Sequence, residues 1–180
     1  MKLVFWILLC LSPFFISDKS SEPSIKWSGA QKLQWDDFKG KPNNNTKAVA
    51  LTASGIVFEY ALKTSDDNII GFEPKVNAFF YPEKSWVKLA DTTSVILNHE
   101  QLHFDITELH ARRFRMELDA VKISRQLVQD IDRLHVQINR DWAKMQEDYD
   151  RETNFSRDLA NQLKWQAYIS TQLKQLESYK

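Results

Sequence analysis

The chain has 180 residues, of which 43% are hydrophobic and 27% charged, and its formal net charge at pH 7 is zero. This length allows one domain with a full hydrophobic core, and the composition is that of an ordinary soluble globular protein. Balanced charge gives no general attraction to nucleic acid or to an anionic membrane, so we expect no nucleic-acid partner.

The N-terminus has the pattern of an export signal. Lys2 supplies a short positive region, and residues 3–16 are almost wholly apolar. That run is too short for a membrane span, which needs roughly 20 residues, but it is typical of a signal peptide. We predict a signal peptide over residues 1–20, cleaved near 17–22, and a periplasmic or extracellular protein. The alternative interpretation is a buried N-terminal helix.

Cys10 is the single cysteine and lies within this apolar run. The mature protein would therefore contain no disulfide and no cysteine metal ligand. Cys10 could instead carry the lipid of a bacterial lipoprotein, although Leu9 before it is bulkier than such processing normally accepts. A lipid anchor at Cys10 is thus the only membrane attachment we consider, and it is the less favoured one.

Residues 25–90 favour strands. Val, Ile, Phe, Tyr and Thr are concentrated in residues 48–62 and 76–81, and turn-forming residues separate these runs. Short links between strands indicate antiparallel pairing and not crossover helices. We therefore predict a small antiparallel β-sheet in the N-terminal half of the chain.

Residues 91–180 favour helices, because they contain neither proline nor glycine. One apolar stripe repeats at steps of three and four residues and consists of Leu127, Ile131, Leu134, Ile138, Met145 and Tyr149. One helix of this length would not suit a compact domain, so we predict three, over about 92–118, 122–149 and 156–177. The predicted fold class is α+β, as a single domain over residues 21–180.

The clearest functional signal is the run His99-Glu100-Gln101-Leu102-His103, an HExxH motif. Its histidines lie one helical turn and about 40° apart, so both rings could bind one zinc ion. Glu100 could take the proton of a water molecule that attacks a carbonyl group. The motif predicts hydrolysis that depends on Zn²⁺, with His99 and His103 as metal ligands and Glu100 as general base.

The same spacing also arises by chance on a solvated helix face. The flanking residues argue against that explanation, because they are apolar and predict a buried helix: Val95, Ile96, Leu97, Leu102, Phe104 and Ile106. Two histidines and a glutamate are costly to bury there unless they are paired or metal-bound. We therefore favour the metal-site interpretation.

The third ligand is less clear. Extended zinc-protease motifs place it six residues after the second histidine, where this chain has Leu109. His110 lies about 10 Å further along the helix axis, and we interpret it as an ordinary surface histidine. Glu108 is expected to pair with Arg112, and His135 stands alone in a later helix.

An antiparallel return of the chain near residue 120 would bring residues 148–153 level with the histidine pair. Asp150 would then complete a set of two histidines and a carboxylate, with Glu152 as the alternative ligand, and Tyr149 could hydrogen-bond a developing oxyanion. These residues are equally well explained as charges at a helix end, with an N-cap near Thr153 for the last helix. Both explanations stay open.

Five segments form a combination that is far more specific than the zinc motif alone. They are Leu33-x-Trp35-x-Asp37-Phe38-x-Gly40-x-Pro42, Ser85-Trp86-Val87, His99-Glu100-Gln101-x-His103-Phe104-Asp105-Ile106-x-Glu108, Tyr149-Asp150-x-Glu152-Thr153 and Gln162-x-x-Trp165. In these segments the chain resembles the bacterial family called domain of unknown function 922, usually described as predicted secreted zinc-dependent proteases. The resemblance implies export, an α+β zincin-like domain, zinc on His99 and His103, and a catalytic Glu100, but no particular substrate.

One position departs from the family pattern. The family continues after its Tyr-Asp segment with Thr-x-His, whereas this chain has Phe155 in place of that histidine. If that histidine is the usual third ligand, this member has lost it. Our leading hypothesis is an exported zinc metallopeptidase acting on a peptide or protein. The alternatives are a catalytically silent relative with a binding or scaffolding role and a zinc hydrolase for other bonds.

Overall fold

The computed structural model describes residues 22–66 and 68–180. The predicted signal peptide and Cys10 lie outside these residues. Over the described ranges, none of the helices combines the length and the apolar character needed to cross a membrane.

In the described part of the N-terminal half, five strands form two antiparallel sheets. They are β1 (Ile25–Lys26), β2 (Ala50–Leu51), β3 (Ser54–Ser65), β4 (Asn68–Phe80) and β5 (Trp86–Val87). The larger sheet has the order β1–β4–β3, and the smaller pairs β2 with β5. The predicted antiparallel sheet is confirmed. The strand-rich run at 48–62 is divided between β2 and β3, however, and β4 begins well before residue 76.

Three α-helices follow, so the predicted helical half is also confirmed. They are α1 (Ser94–Asp119), α2 (Leu127–Glu152) and α3 (Leu159–Gln175). The N-cap of α3 is Asp158, whose carboxylate accepts a hydrogen bond from Asn161 N at 3.0 Å. Thr153 is not that cap: it follows the end of α2, and its hydroxyl donates to Tyr149 O at 2.7 Å.

α1 is the central element and contacts β3, β4, α2 and α3. One hydrophobic cluster lies between α1, the larger sheet and α2, and includes Phe80, Phe104 and Phe114. A second cluster lies between the three helices and includes Leu102, Ile106, Leu109, Tyr149 and Ile169. His99 and His103 therefore lie on a helix that packs against the larger sheet, α2 and α3.

Polar side chains of α1 form hydrogen bonds with residues 27–33, which come much earlier in the chain. Asp105 accepts hydrogen bonds from Trp27 Nε1 at 2.8 Å, Lys32 Nζ at 3.1 Å and Gln101 Nε2 at 2.9 Å. Gln101 Oε1 in turn accepts from Leu33 N at 2.8 Å. These bonds satisfy two buried polar side chains, one within the HExxH motif and one two residues after it, and fix its helix in place.

The pairing expected on the same helix is present. Arg112 Nε lies 2.9 Å from Glu108 Oε1, and both side chains are almost fully buried. Arg112 also donates to Leu173 O at 2.7 Å and to Glu177 at 3.1 Å. The C-terminal end of the chain is thus fastened to α1, on the side away from residues 99–103.

Candidate metal centre

Three ligand atoms from α1 and α2 converge on one point. His99 Nε2 and His103 Nε2 lie 3.2 Å apart, and Asp150 Oδ1 lies 3.1 Å from each of them. A tetrahedral ion with bonds of about 2.0–2.1 Å has ligand atoms about 3.3–3.4 Å apart. The nearly equilateral triangle therefore fits one face of such a tetrahedron and leaves a fourth position open. This group, the metal triangle below, could hold a metal ion.

Gln146 orients one of the two rings. Its Oε1 accepts a hydrogen bond from His103 Nδ1 at 2.5 Å, and its Nε2 donates to the His103 carbonyl at 2.9 Å. With the proton on Nδ1, the neutral ring of His103 turns the lone pair of Nε2 toward the triangle. Such a bond from the second ring nitrogen is usual for metal-binding histidines. The sequence reasoning missed Gln146, although it lies one turn before Asp150 on α2.

Tyr149 packs against both rings. Its ring stacks on His99 with the centroids 4.5 Å apart and meets His103 edge-on at 4.9 Å. Its hydroxyl is buried and donates to the His99 carbonyl at 3.4 Å. Burial raises the pKa of the Tyr149 phenol well above its usual value. The hydroxyl thus faces the backbone of α1 and the ring lies against both imidazoles, while the role of Tyr149 as an oxyanion donor stays a prediction.

The charges around the triangle favour an ionised carboxylate. Burial alone would raise the pKa of Asp150, but the hydrogen bonds from His103 and His99 outweigh it and hold that pKa well below its usual range. Burial alone would lower the pKa of His103, but Asp150 and Glu100 together raise it above its usual value. Without a metal, protons are therefore drawn to this site, and a metal ion that binds there must displace them.

Glu100 is buried, at 5% exposure, and lines the same cavity as the metal triangle. Its backbone carbonyl accepts a hydrogen bond from Thr52 Oγ1 at 3.2 Å. Among the described residues we find no hydrogen bond to its carboxylate, and that carboxylate is not part of the triangle. Glu100 thus lines the cavity of the metal triangle without being part of the triangle, and its role as general base stays a prediction.

The alternative ligand, Glu152, is not brought to the triangle. Its side chain is half exposed and accepts a hydrogen bond from Trp165 Nε1 at 2.9 Å. It lines a separate cleft between α2 and α3. Of the two carboxylates that the sequence left open, the structure therefore places Asp150 at the histidine pair.

His110 is fully buried, so its interpretation as a surface histidine is wrong. Its Nδ1 donates to Ile106 O at 3.0 Å, and Arg113 lies 3.4 Å from Nε2. Burial lowers the pKa of His110 to about 4, and the charge of Arg113 acts in the same direction. His135 packs against Phe114, with parallel rings 5.8 Å apart, and takes no part in the candidate site.

A cavity of about 730 Å³ lies over the metal triangle. One wall is residues 46–54, which include β2; the opposite wall comes from α1, α2 and residues 155–157. Asn154, Phe155 and Ser156 have positive φ angles of 47°, 53° and 70°. Phe155 is 60% exposed and lines this cavity, so the position where the family pattern has a histidine adjoins the site.

Comparison with known proteins agrees with the resemblance seen in the sequence. A family model described as bacterial protein of unknown function (DUF922) matches residues 30–157. No curated protein and no solved structure gives a significant match. The matched span contains the metal triangle, Glu100 and Phe155, and it ends just before α3. The chain therefore belongs to the DUF922 family of bacterial proteins.

Proposed function

We propose that this protein is an exported zinc-dependent hydrolase, and more specifically a metallopeptidase. The observation that carries the proposal is the metal triangle, in which three atoms able to bind a metal ion lie 3.1–3.2 Å apart, with Glu100 lining the same cavity. Two imidazoles, one carboxylate and an open position form a donor set used by catalytic zinc sites. Export rests on the N-terminal pattern alone.

The donor set by itself would also suit non-haem iron. Glu100 favours hydrolysis, because a hydrolytic site needs a base for water and this carboxylate lines the cavity beside the ligands. Gln146 supports metal binding in general, since it directs the free lone pair of His103 toward the ion position. We choose zinc over iron because of Glu100.

The edge of β2 supports a peptide substrate. Ala50 pairs with Val87 and Leu51 with Trp86, and Lys88 N donates to Val49 O at 2.8 Å. Alternate residues of an antiparallel strand point their hydrogen-bonding groups to opposite sides, so Ala50 directs its N–H and C=O away from β5. This segment lines the cavity, where an extended peptide could add to it as a further strand.

The roles of the side chains follow from their positions. Zinc, when bound, supplies a Lewis acid that polarises a carbonyl group and lowers the pKa of water. Glu100 accepts the proton of the attacking water and can pass it to the leaving amine. His99, His103 and the ionised Asp150 hold the ion, while Tyr149 keeps both rings in place.

The second candidate is a catalytically silent relative with a binding role, and Phe155 is the observation that favours it. A member that lacks a ligand histidine would hold zinc weakly. Against this, Asp150 supplies a third ligand atom without any help from position 155. We therefore retain hydrolysis as the leading proposal.

Replacement of Glu100 tests the catalytic assignment. Zinc-loaded wild type should cleave denatured casein, whereas Glu100→Gln should keep its zinc and lose about 10²–10⁴-fold in rate. Glu117→Gln, on the same helix but outside the cavity, is the matched control and should stay active. Loss of zinc from Glu100→Gln would make Glu100 a ligand, and an inert zinc-loaded wild type would favour the silent relative.

A further inference from the structure

Away from the metal triangle, large apolar side chains line much of the cavity. They are Val49, Leu51, Ile96, Trp142 and Phe155. Phe155 is 60% exposed and Leu51 42% exposed, so neither contributes much to the hydrophobic core. Concave apolar surface that converges with a few polar groups is the usual form of a ligand site.

The backbone of the turn after α2 places the side chain of Phe155 in the apolar wall of the cavity. A positive φ is unfavourable for a bulky side chain, and three successive residues of this turn have one. Such strain persists where the surrounding structure enforces it, often at functional sites. Here Phe155 N donates to Asp150 O at 2.8 Å, and Asp158 N donates to Thr153 O at 2.8 Å. Phe155 is therefore tied directly to a residue of the metal triangle.

We propose that the cavity accepts a peptide with a bulky apolar side chain beside the bond placed over the metal triangle, and that Phe155 determines this specificity. The proposal rests on the proposed function for the position of the cleaved bond, but recognition of the side chain does not require catalysis. Burial of a leucine or phenylalanine side chain instead of alanine is worth about 10–100-fold in affinity. A neutral polar side chain such as that of glutamine would lose its hydration against the same wall and is disfavoured.

The test measures binding, in the full chain carrying Glu100→Gln so that no peptide is cleaved. Isothermal titration calorimetry, with and without added zinc, compares four end-blocked tetrapeptides, acetyl-Gly-Gly-Xaa-Gly-amide, in which Xaa is Ala, Leu, Phe or Gln. The Leu and Phe peptides should bind about 10-fold or more tightly than the Ala and Gln peptides. Adding Phe155→Ala should remove most of this preference, whereas Phe155→Leu should keep most of it.

Tyr168→Ala is the matched control. Tyr168 is an aromatic residue of α3, 44% exposed, that lines the other cleft, so its loss should leave the preference unchanged. Equal affinity for the four peptides, no measurable binding of the Leu and Phe peptides, or a preference that survives Phe155→Ala would overturn the proposal. Failure of the proposed function is recognised separately, as absence of hydrolysis by the zinc-loaded wild type.

Discussion

Gln146 of α2 holds His103 of α1 at two points. Its amide oxygen accepts a hydrogen bond from the ring Nδ1, and its amide nitrogen donates to the backbone carbonyl of the same histidine at 2.9 Å. The ring therefore cannot rotate freely, and its Nε2 stays directed at Asp150 Oδ1, 3.1 Å away. Since both contacts on α1 come from one turn of α2, the packing of these two helices determines the geometry of the site.

Gln146→Ala should lower the zinc affinity about 10–100-fold, because the ring of His103 loses the partner that fixes its orientation and tautomer. Competition with a chromophoric chelator measures the change. Gln137→Ala, at an exposed position on the same helix whose side chain bonds to Asp141, should leave the affinity unaltered. Equal affinities for Gln146→Ala and the wild type would show that the ring needs no such support.

Asp150→Ala should weaken zinc binding more than Gln146→Ala does, by more than about 100-fold, because it removes a ligand atom and not a supporting group. The same chelator competition measures it. Glu152→Ala is the control, since that carboxylate bonds to Trp165 outside the metal triangle. Similar losses of zinc affinity in Asp150→Ala and Glu152→Ala would show that Asp150 is not a specific zinc ligand.

Phe155→His should change zinc affinity little, because on the proposed function His99, His103 and Asp150 would already supply three ligand atoms. Zinc affinity and casein cleavage are measured side by side for this variant and the wild type. A rise in affinity by orders of magnitude, or new activity in an otherwise inert protein, would instead support the silent relative that has lost its third ligand.

Acid should destabilise the fold partly through His110. Its pKa is about 4 in the folded chain, against an ordinary value of 6.5. Between these values the unfolded chain binds a proton that the folded chain does not, so the free energy of unfolding falls as pH falls. From pH 7 to pH 5 the wild type should lose about 2 kcal/mol more than His110→Gln does. Urea unfolding of both proteins, with a zinc chelator present, measures this difference, and parallel pH profiles would contradict it.

The sequence was sufficient for features that depend on local pattern. The lack of proline and glycine after residue 90 predicted the helical half, and strand-favouring runs joined by short turns predicted the antiparallel sheet. The spacing of His99 and His103 placed both rings on one side of α1, and a reversal of the chain brought residues 148–153 level with them. These inferences use only helix geometry and turn chemistry.

The sequence was not sufficient for features that depend on how segments distant in the chain pack together. Asp150 and Glu152 are two residues apart on α2, so they point to nearly opposite sides of it, and only the contact with α1 selects Asp150. His110 is buried because α2 and α3 cover it, which nothing near it in the chain reveals. The positive φ of Phe155 likewise depends on hydrogen bonds that close the turn after α2.

Metal content tests the proposed site most directly. The full chain, purified without chelators, is subjected to elemental analysis, and X-ray absorption spectroscopy identifies the coordinating atoms. We predict close to one zinc ion per chain, bound by two imidazole nitrogens and a carboxylate oxygen, and its loss in His99→Ala or His103→Ala. A folded wild-type protein that contains no zinc and takes up none when it is added, or that holds iron in its place, would contradict the proposal.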